Sequence, residues 1–280
     1  MLLKRWLALM AFGLSLMVSL SIIQLAHGYL LPPQQIIEFV AKQTARVYNF
    51  RFEVWAESPD PAFPEAMIKR EMIYYAARPN LLRREIVGEA ESGTILVSSG
   101  RRLSVIDGRI LEEPPRHEEI FPMLLFANSP ELLEELLKRE RVDFSEVHLG
   151  RMEKHIAYVI GGPPGKPEAP QFWCDKDRFL PLRLVGLRSY QGVVDLVDIR
   201  FLSYRQVAEF IWLPSVIEFY RQDKLFLRLT VQKTRHNERF PAALFDLESF
   251  AAKYPPLEEP PEKPAEGLEE MRRYLEKKYE

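Results

Sequence analysis

One cysteine, Cys174, stands among 280 residues, so no intramolecular disulfide can form and the fold must rest on its core even in an oxidising compartment. There is no excess of basic charge: 38 Lys and Arg face 40 Asp and Glu, and a leader carrying Lys4 and Arg5 would make the balance more acidic. That excludes a basic field for nucleic acid. Catalytic signatures are missing too. The chain has no glycine-rich phosphate loop, no Gly-x-Ser-x-Gly elbow and no His-Glu-x-x-His pair, and the reading is of a protein that is not an enzyme and takes no cofactor and no metal. His117-Glu118-Glu119 and His236-Asn237-Glu238 gather potential ligands, but in charged turns where solvent is the expected partner. His155 reads as strand surface, Cys174 has no neighbouring base, and Asp195 and Asp198 fall on opposite strand faces, where they make no acid–base pair unaided.

What is present is apolar: 47% of residues are hydrophobic, enough for a full core in one domain of about 200 residues with extensions. Lys4 and Arg5 precede a mostly apolar run from Trp6 to Leu25 that ends at Ala26-His27-Gly28, the pattern of a signal peptide with a small-x-small cleavage site. An uncleaved anchor is the competing reading, since about 20 apolar residues span a bilayer, although Ser15, Ser19, Ser21 and Gln24 weaken this run. No cysteine lies near the cleavage site, so the chain is not itself acylated. We divide it into a signal peptide (1–28), a domain (29–250) and a tail (251–280). In the tail, Pro255, Pro256, Pro260, Pro261 and Pro264 among glutamates read as a stiff, solvated linker. A short charged helix, Leu268 to Tyr279, follows it.

Within the domain, Gln34 to Tyr48 places Ile36, Ile37, Val40, Ala41, Thr44 and Val47 at helical spacing. Strict alternation from Asn49 then puts Phe50, Phe52 and Val54 on one face of a strand. Asp107-Gly108 reads as a hairpin turn. Phe121-Pro122-Met123-Leu124-Leu125-Phe126 breaks the strand pattern with an apolar cluster, after which Ser129 caps a helix carrying Pro130 in its first turn and Leu132, Leu133, Leu136 and Leu137 as its stripe. This segment is either a connecting helix packed on a sheet or a movable lid. Strands return from Phe144, interrupted by a disordered-looking turn from Gly161 to Pro170. They end in a hairpin of Phe210–Tyr220 and Lys224–Lys233. The fold class is α+β, mainly β: a strongly curved antiparallel sheet of about 10–12 strands, an incomplete barrel, with a helical lid and an N-terminal helix.

The stretch around Arg78 carries a resemblance. The aromatic strand Met72-Ile73-Tyr74-Tyr75-Ala76-Ala77, the corner Arg78-Pro79-Asn80, the strand Leu81 to Val87, then Glu91-Ser92, Ile95-Leu96-Val97-Ser98 and a glycine turn at Gly100 resemble the outer-membrane lipoprotein carriers, the LolA-like proteins of the periplasm. Leu180-Pro181-Leu182-Arg183 also looks like that family. Phe240 to Leu247 resembles the terminal strand and loop of its longer relatives. The resemblance implies a monomeric periplasmic carrier whose sheet is a cup for the acyl chains of lipoproteins or related lipids. Its partners would be an inner-membrane release complex and an outer-membrane acceptor. It further implies a cavity lined by Phe50, Phe52, Val54, Met72, Tyr74, Ala76, Leu82, Ile95 and Val97. Phe121, Met123, Leu124, Phe126, Leu132 and Leu136 would form the lid, with Arg78 bonding it. The alternative is an anchored or periplasmic lipid or stress sensor, or a scaffold, built on the same fold.

Overall fold

The computed structural model describes residues 30–60, 63, 66–88, 93–106, 108–113, 115–190 and 193–256. The expected signal peptide and the charged C-terminal helix lie outside the described residues.

Helix α1 (Pro33–Thr44) starts with proline in its first turn, where the missing amide is harmless, and buries Ile36, Ile37, Val40, Ala41 and Thr44. It stops at Thr44 and not at Tyr48. The Thr44 hydroxyl turns back onto Val40 O (3.0 Å) and also reaches Ala127 O (2.6 Å), and Arg78 takes the carbonyls that follow.

Strands β1 (Asn49–Pro59), β2 (Met67–Ala77), β3 (Leu81–Ile86), β4 (Ile95–Ser98), β5 (Arg101–Ile106) and β6 (Arg109–Glu113) form an antiparallel meander. A second run contains β7 (Val147–Met152), β8 (His155–Gly161), β9 (Gln171–Asp175), β10 (Pro181–Tyr190), β11 (Val193–Ala208), β12 (Ile211–Arg221) and β13 (Lys224–His236). The two runs join where β13 pairs with β1, so the order is β6-β5-β4-β3-β2-β1-β13-β12-β11-β10-β9-β8-β7. Thirteen strands exceed the 10–12 expected, and the sheet stays open. Because β6 and β7 are consecutive in the chain yet lie at opposite edges, the segment between them must cross the sheet. It crosses as a 3-10 turn (His117–Ile120), α2 (Phe121–Phe126) and α3 (Pro130–Arg139). Ser129 caps α3 through Leu132 N at 3.1 Å, as its sequence signals.

Alternation sorts each strand between two faces. The concave face carries Phe50, Phe52 and Val54, then Met72 and Tyr74, and in the second run Val197, Ile199, Phe201, Ile217, Phe219 and Leu229, all in one apolar core with α1, α2 and α3. On the convex face a cross-strand row runs Trp173, Arg183, Arg200, Glu218, Arg228, Glu57, Lys69 across seven strands. Asp198 is buried there between Arg183 and Arg200. This half of the outer surface is therefore charged.

The other half is not. Leu96, Leu103 and Val105 point outward and are covered by Phe245, Leu247 and Phe250, making a second core. The covering segment is a 3-10 turn (Ala242–Phe245) and helix α4 (Leu247–Ala251), not the strand and loop expected for Phe240–Leu247. Asp246 decides this locally, accepting from Glu248 N and Ser249 N as the α4 cap. Beyond α4 the chain stays on the sheet: Ile110 N donates to Pro255 O at 2.9 Å and Pro256 bridges Ile110, so the first prolines of the tail cover the β6 edge.

Two turns are better ordered than their composition suggests. Gln171, buried on β9, donates its side-chain amide to Lys166 O, Pro167 O and Ala169 O and so organises the expected disordered turn. Asn237 was expected in solvent, yet it accepts from Tyr48 N and donates to Arg46 O, clamping the end of β13 to the entry of β1. No helix among the described residues is long and apolar enough to cross a membrane.

Candidate functional site

The concavity is built by parity and filled by α2. All nine strand residues expected to line it, Phe50, Phe52, Val54, Met72, Tyr74, Ala76, Leu82, Ile95 and Val97, are buried in a single apolar cluster. Phe121, Met123, Leu124, Phe126 and Leu136 of the crossing segment lie in the same cluster, and Leu132 packs against it. All six α2 residues are buried, which a surface helix never requires. Phe50 stacks on Phe52 with ring centroids 4.1 Å apart, and the Phe121 ring stands among Phe50 (6.4 Å), Tyr74 (5.9 Å) and Phe219 (5.8 Å). The space left over is small. A cavity of about 50 Å³ remains between Tyr74, Leu82, Ile95, Phe121, Phe219 and Leu227, with Arg84 and Glu119 at its polar end. That is room for a few water molecules, not for an acyl chain.

Three polar attachments hold α2 down. Arg78 Nε donates to Phe126 O at 2.8 Å, and the Thr44 hydroxyl donates to Ala127 O at 2.6 Å. At the other end Arg102 Nε donates to Glu119 Oε1 at 2.7 Å, with side chains 3% and 9% exposed. Arg78 reaches one carbonyl of the crossing segment, not several. Its other donor atom serves Val47 O (2.6 Å), Ala45 O (2.8 Å) and Thr44 O (3.5 Å), the end of α1, where a cation also suits the helix dipole. Burial without a carboxylate partner lowers the guanidinium's pKa from its ordinary value.

The residues that sequence reasoning missed are the charged ones. Arg84 sits between Leu82 and Ile86 on β3 and is aligned with Tyr74 and Ile95, which places it on the concave face. Arg102 is aligned with Val97 and Glu113, on the same face of β5 and β6. Counting parity from Leu82 was enough to find Arg84. Nothing in the sequence pointed to the pairing of Arg102 with Glu119, which was assigned to solvent. His155 Nδ1 lies 2.8 Å from Asp175 Oδ2. Among the described residues no group of three or more His, Cys, Asp or Glu side chains is arranged to hold a metal.

No family model and no curated protein matches the sequence. Solved structures do match in shape. A domain described as outer membrane lipoprotein-sorting, from Vibrio parahaemolyticus, aligns over 77% of this chain and 97% of its own at 11% identity and a TM-score of 0.52. A LolA superfamily protein from Nitrosomonas europaea aligns over 79% of this chain and 100% of its own at 11% identity and a TM-score of 0.50. With this open sheet, its crossing helices and these likenesses in hand, the chain has the LolA-like fold.

Proposed function

We propose that this protein is a periplasmic carrier that shields the acyl chains of lipoproteins, or of related lipids, in the concavity that α2 now fills. The observation that supports the reading is a wholly apolar helix seated on the apolar floor of the sheet and attached by few polar bonds. Magnitudes say what could open it. Exposing six apolar side chains costs on the order of 9–18 kcal/mol at about 1.5–3 kcal/mol each, so α2 does not leave unaided. One acyl chain of about fifteen methylenes returns ~12 kcal/mol at about 0.8 kcal/mol each, and two return ~24 kcal/mol. Both are upper bounds. A cargo of two chains exceeds the whole of the lid's range, whereas a single chain falls within it.

The test is native mass spectrometry of purified protein mixed with a diacylated lipopeptide, together with hydrogen exchange across residues 117–139. A bound lipopeptide with altered exchange in that segment is the expected result. Absence of binding at concentrations that saturate a lipid chaperone control would overturn the reading. An envelope sensor on the same fold would need a partner that reads the lid, and no observation on the described residues favours one.

A further inference from the structure

The concave face is not uniform. Along β1, β2 and β11–β13 it is mostly apolar, with Arg70 and Arg221 toward strand ends, but the wall made by β3, β5 and β6 carries Arg84, Arg102, Ser104 and Glu113, a short step from the floor at Tyr74 and Ile95. Arg102 is 3% exposed and is bound by Glu119 and Glu113, with its Nη1 also 3.3 Å from Ser104 Oγ. Arg84 donates to Gly93 O at 3.3 Å, while its Nε is buried and has no hydrogen-bond partner among the described residues. Arg84 and Glu119 line the same small cavity as Phe121.

Glu119 and Phe121 are two residues apart at the start of the crossing segment, so one short piece of chain places a carboxylate on the arginine wall and an aromatic ring on the apolar floor. That is the outline of an anionic amphiphile. When the segment lifts, Glu119 leaves with it. The wall then holds Arg84 and Arg102 against Glu113 alone, a net positive charge in a low-dielectric mouth, and a buried guanidinium stripped of its partner is costly. An incoming anion removes that cost.

We infer that Glu119 and Phe121 occupy the places of a cargo's anionic head and acyl chain, and that Arg84 and Arg102 form a head-group site selecting acidic lipids over uncharged ones. The inference rests on the carrier reading and adds the class of cargo to it. Arg84 provides an unused donor for a phosphate oxygen, and Arg102 exchanges one oxyanion for another.

The experiment compares two probes with identical acyl chains, a fluorescent diacylglycerol and the phosphatidic acid built on it, each presented from phosphatidylcholine vesicles to the full chain. The expected result is tighter binding of the phosphatidic acid by about tenfold, the worth of one charge-assisted hydrogen bond. Arg84→Met, which keeps the stem and removes the donors, should bring the two probes to near equality. Glu119→Gln removes the internal competitor and should raise phosphatidic acid affinity more than diacylglycerol affinity. Inorganic phosphate should displace neither probe, because the floor supplies most of the affinity. Equal binding of both probes by the parent, an Arg84→Met protein that keeps the preference, or displacement by phosphate alone would each overturn the inference while leaving the carrier reading in place. Binding of neither probe would overturn the inference, and the lipopeptide experiment then decides the carrier reading.

Discussion

At the scale of single residues, Arg78 ties together three pieces of chain that are distant in sequence. It leaves the β2–β3 turn, closes the end of α1 and holds the last carbonyl of α2. Arg78→Leu keeps the stem and deletes every donor, so buried carbonyls lose a charged partner at a cost of about 1.5–3 kcal/mol. We expect a lower melting temperature together with faster amide exchange at residues 120–128. Arg78→Lys should rescue only part, since an ammonium cannot match the fork of a guanidinium. Parent-like exchange in Arg78→Leu would remove Arg78 from any control of the lid. Cys174 gives a second residue-scale expectation. It is fully buried on the concave side of β9, where burial pushes the thiol up from its ordinary value. A water-soluble thiol reagent should therefore react at the rate of unfolding and not with the native protein. Rapid stoichiometric labelling of folded protein would show that the concavity opens readily.

Between elements, α2 and α4 solve opposite problems. Helix α2 covers a face that the proposed function must uncover, whereas α4 covers a face that must stay covered. The amides of α2 should exchange faster than those of β1 or β11 despite equal burial, and faster still when a diacylated lipid takes the place of α2 on the sheet. Exchange as slow as the strands, unchanged by lipid, would leave it an ordinary connecting helix. For α4 the hinge is its cap: Ser249 and Glu248 hold the Asp246 carboxyl below the usual carboxylate range, the Ser249 hydroxyl foremost. A depressed folded value means the contribution is present above the ordinary carboxylate value and is lost as pH falls through the folded one. Residues 246–254 should therefore loosen in acid before the strands do, read by residue-resolved exchange. Asp246→Asn should make that segment insensitive to pH. Because the cap is exposed, the effect is local and small.

For the whole molecule, the open sheet has a concave face that is mostly apolar and a convex face that is charged over one half and apolar over the other. Its concave face is filled by α1, α2 and α3, its charged convex half faces water, and the outward face of β4 and β5 is covered by residues 240–256. Removing residues from 240 onward should bare Leu96, Leu103 and Val105 and free the β6 edge, producing association. Light scattering of the shortened protein checks this, and a monodisperse, stable monomer would show that the C-terminal cover is dispensable.

Much of this was legible without coordinates. Alternation in Asn49 to Ala56 and Met72 to Ala77 set which side chains face the concavity, because a strand has period two and only one register buries Phe50, Phe52 and Tyr74 together. Ser129 and Pro130 marked the start of α3, and Asp107-Gly108 marked a hairpin. Contacts between remote segments were not legible. Leu96 and Val97 look alike in the sequence but serve different cores, since the C-terminal segment covers one side of β4 and α2 the other. Glu119 reads as solvated until Arg102 is brought to it across the mouth of the sheet. Pattern along the chain determined the faces, because backbone geometry repeats every two residues. Only the tertiary structure decided what covers each face, because that depends on an edge-to-edge crossing whose partners lie far apart in sequence.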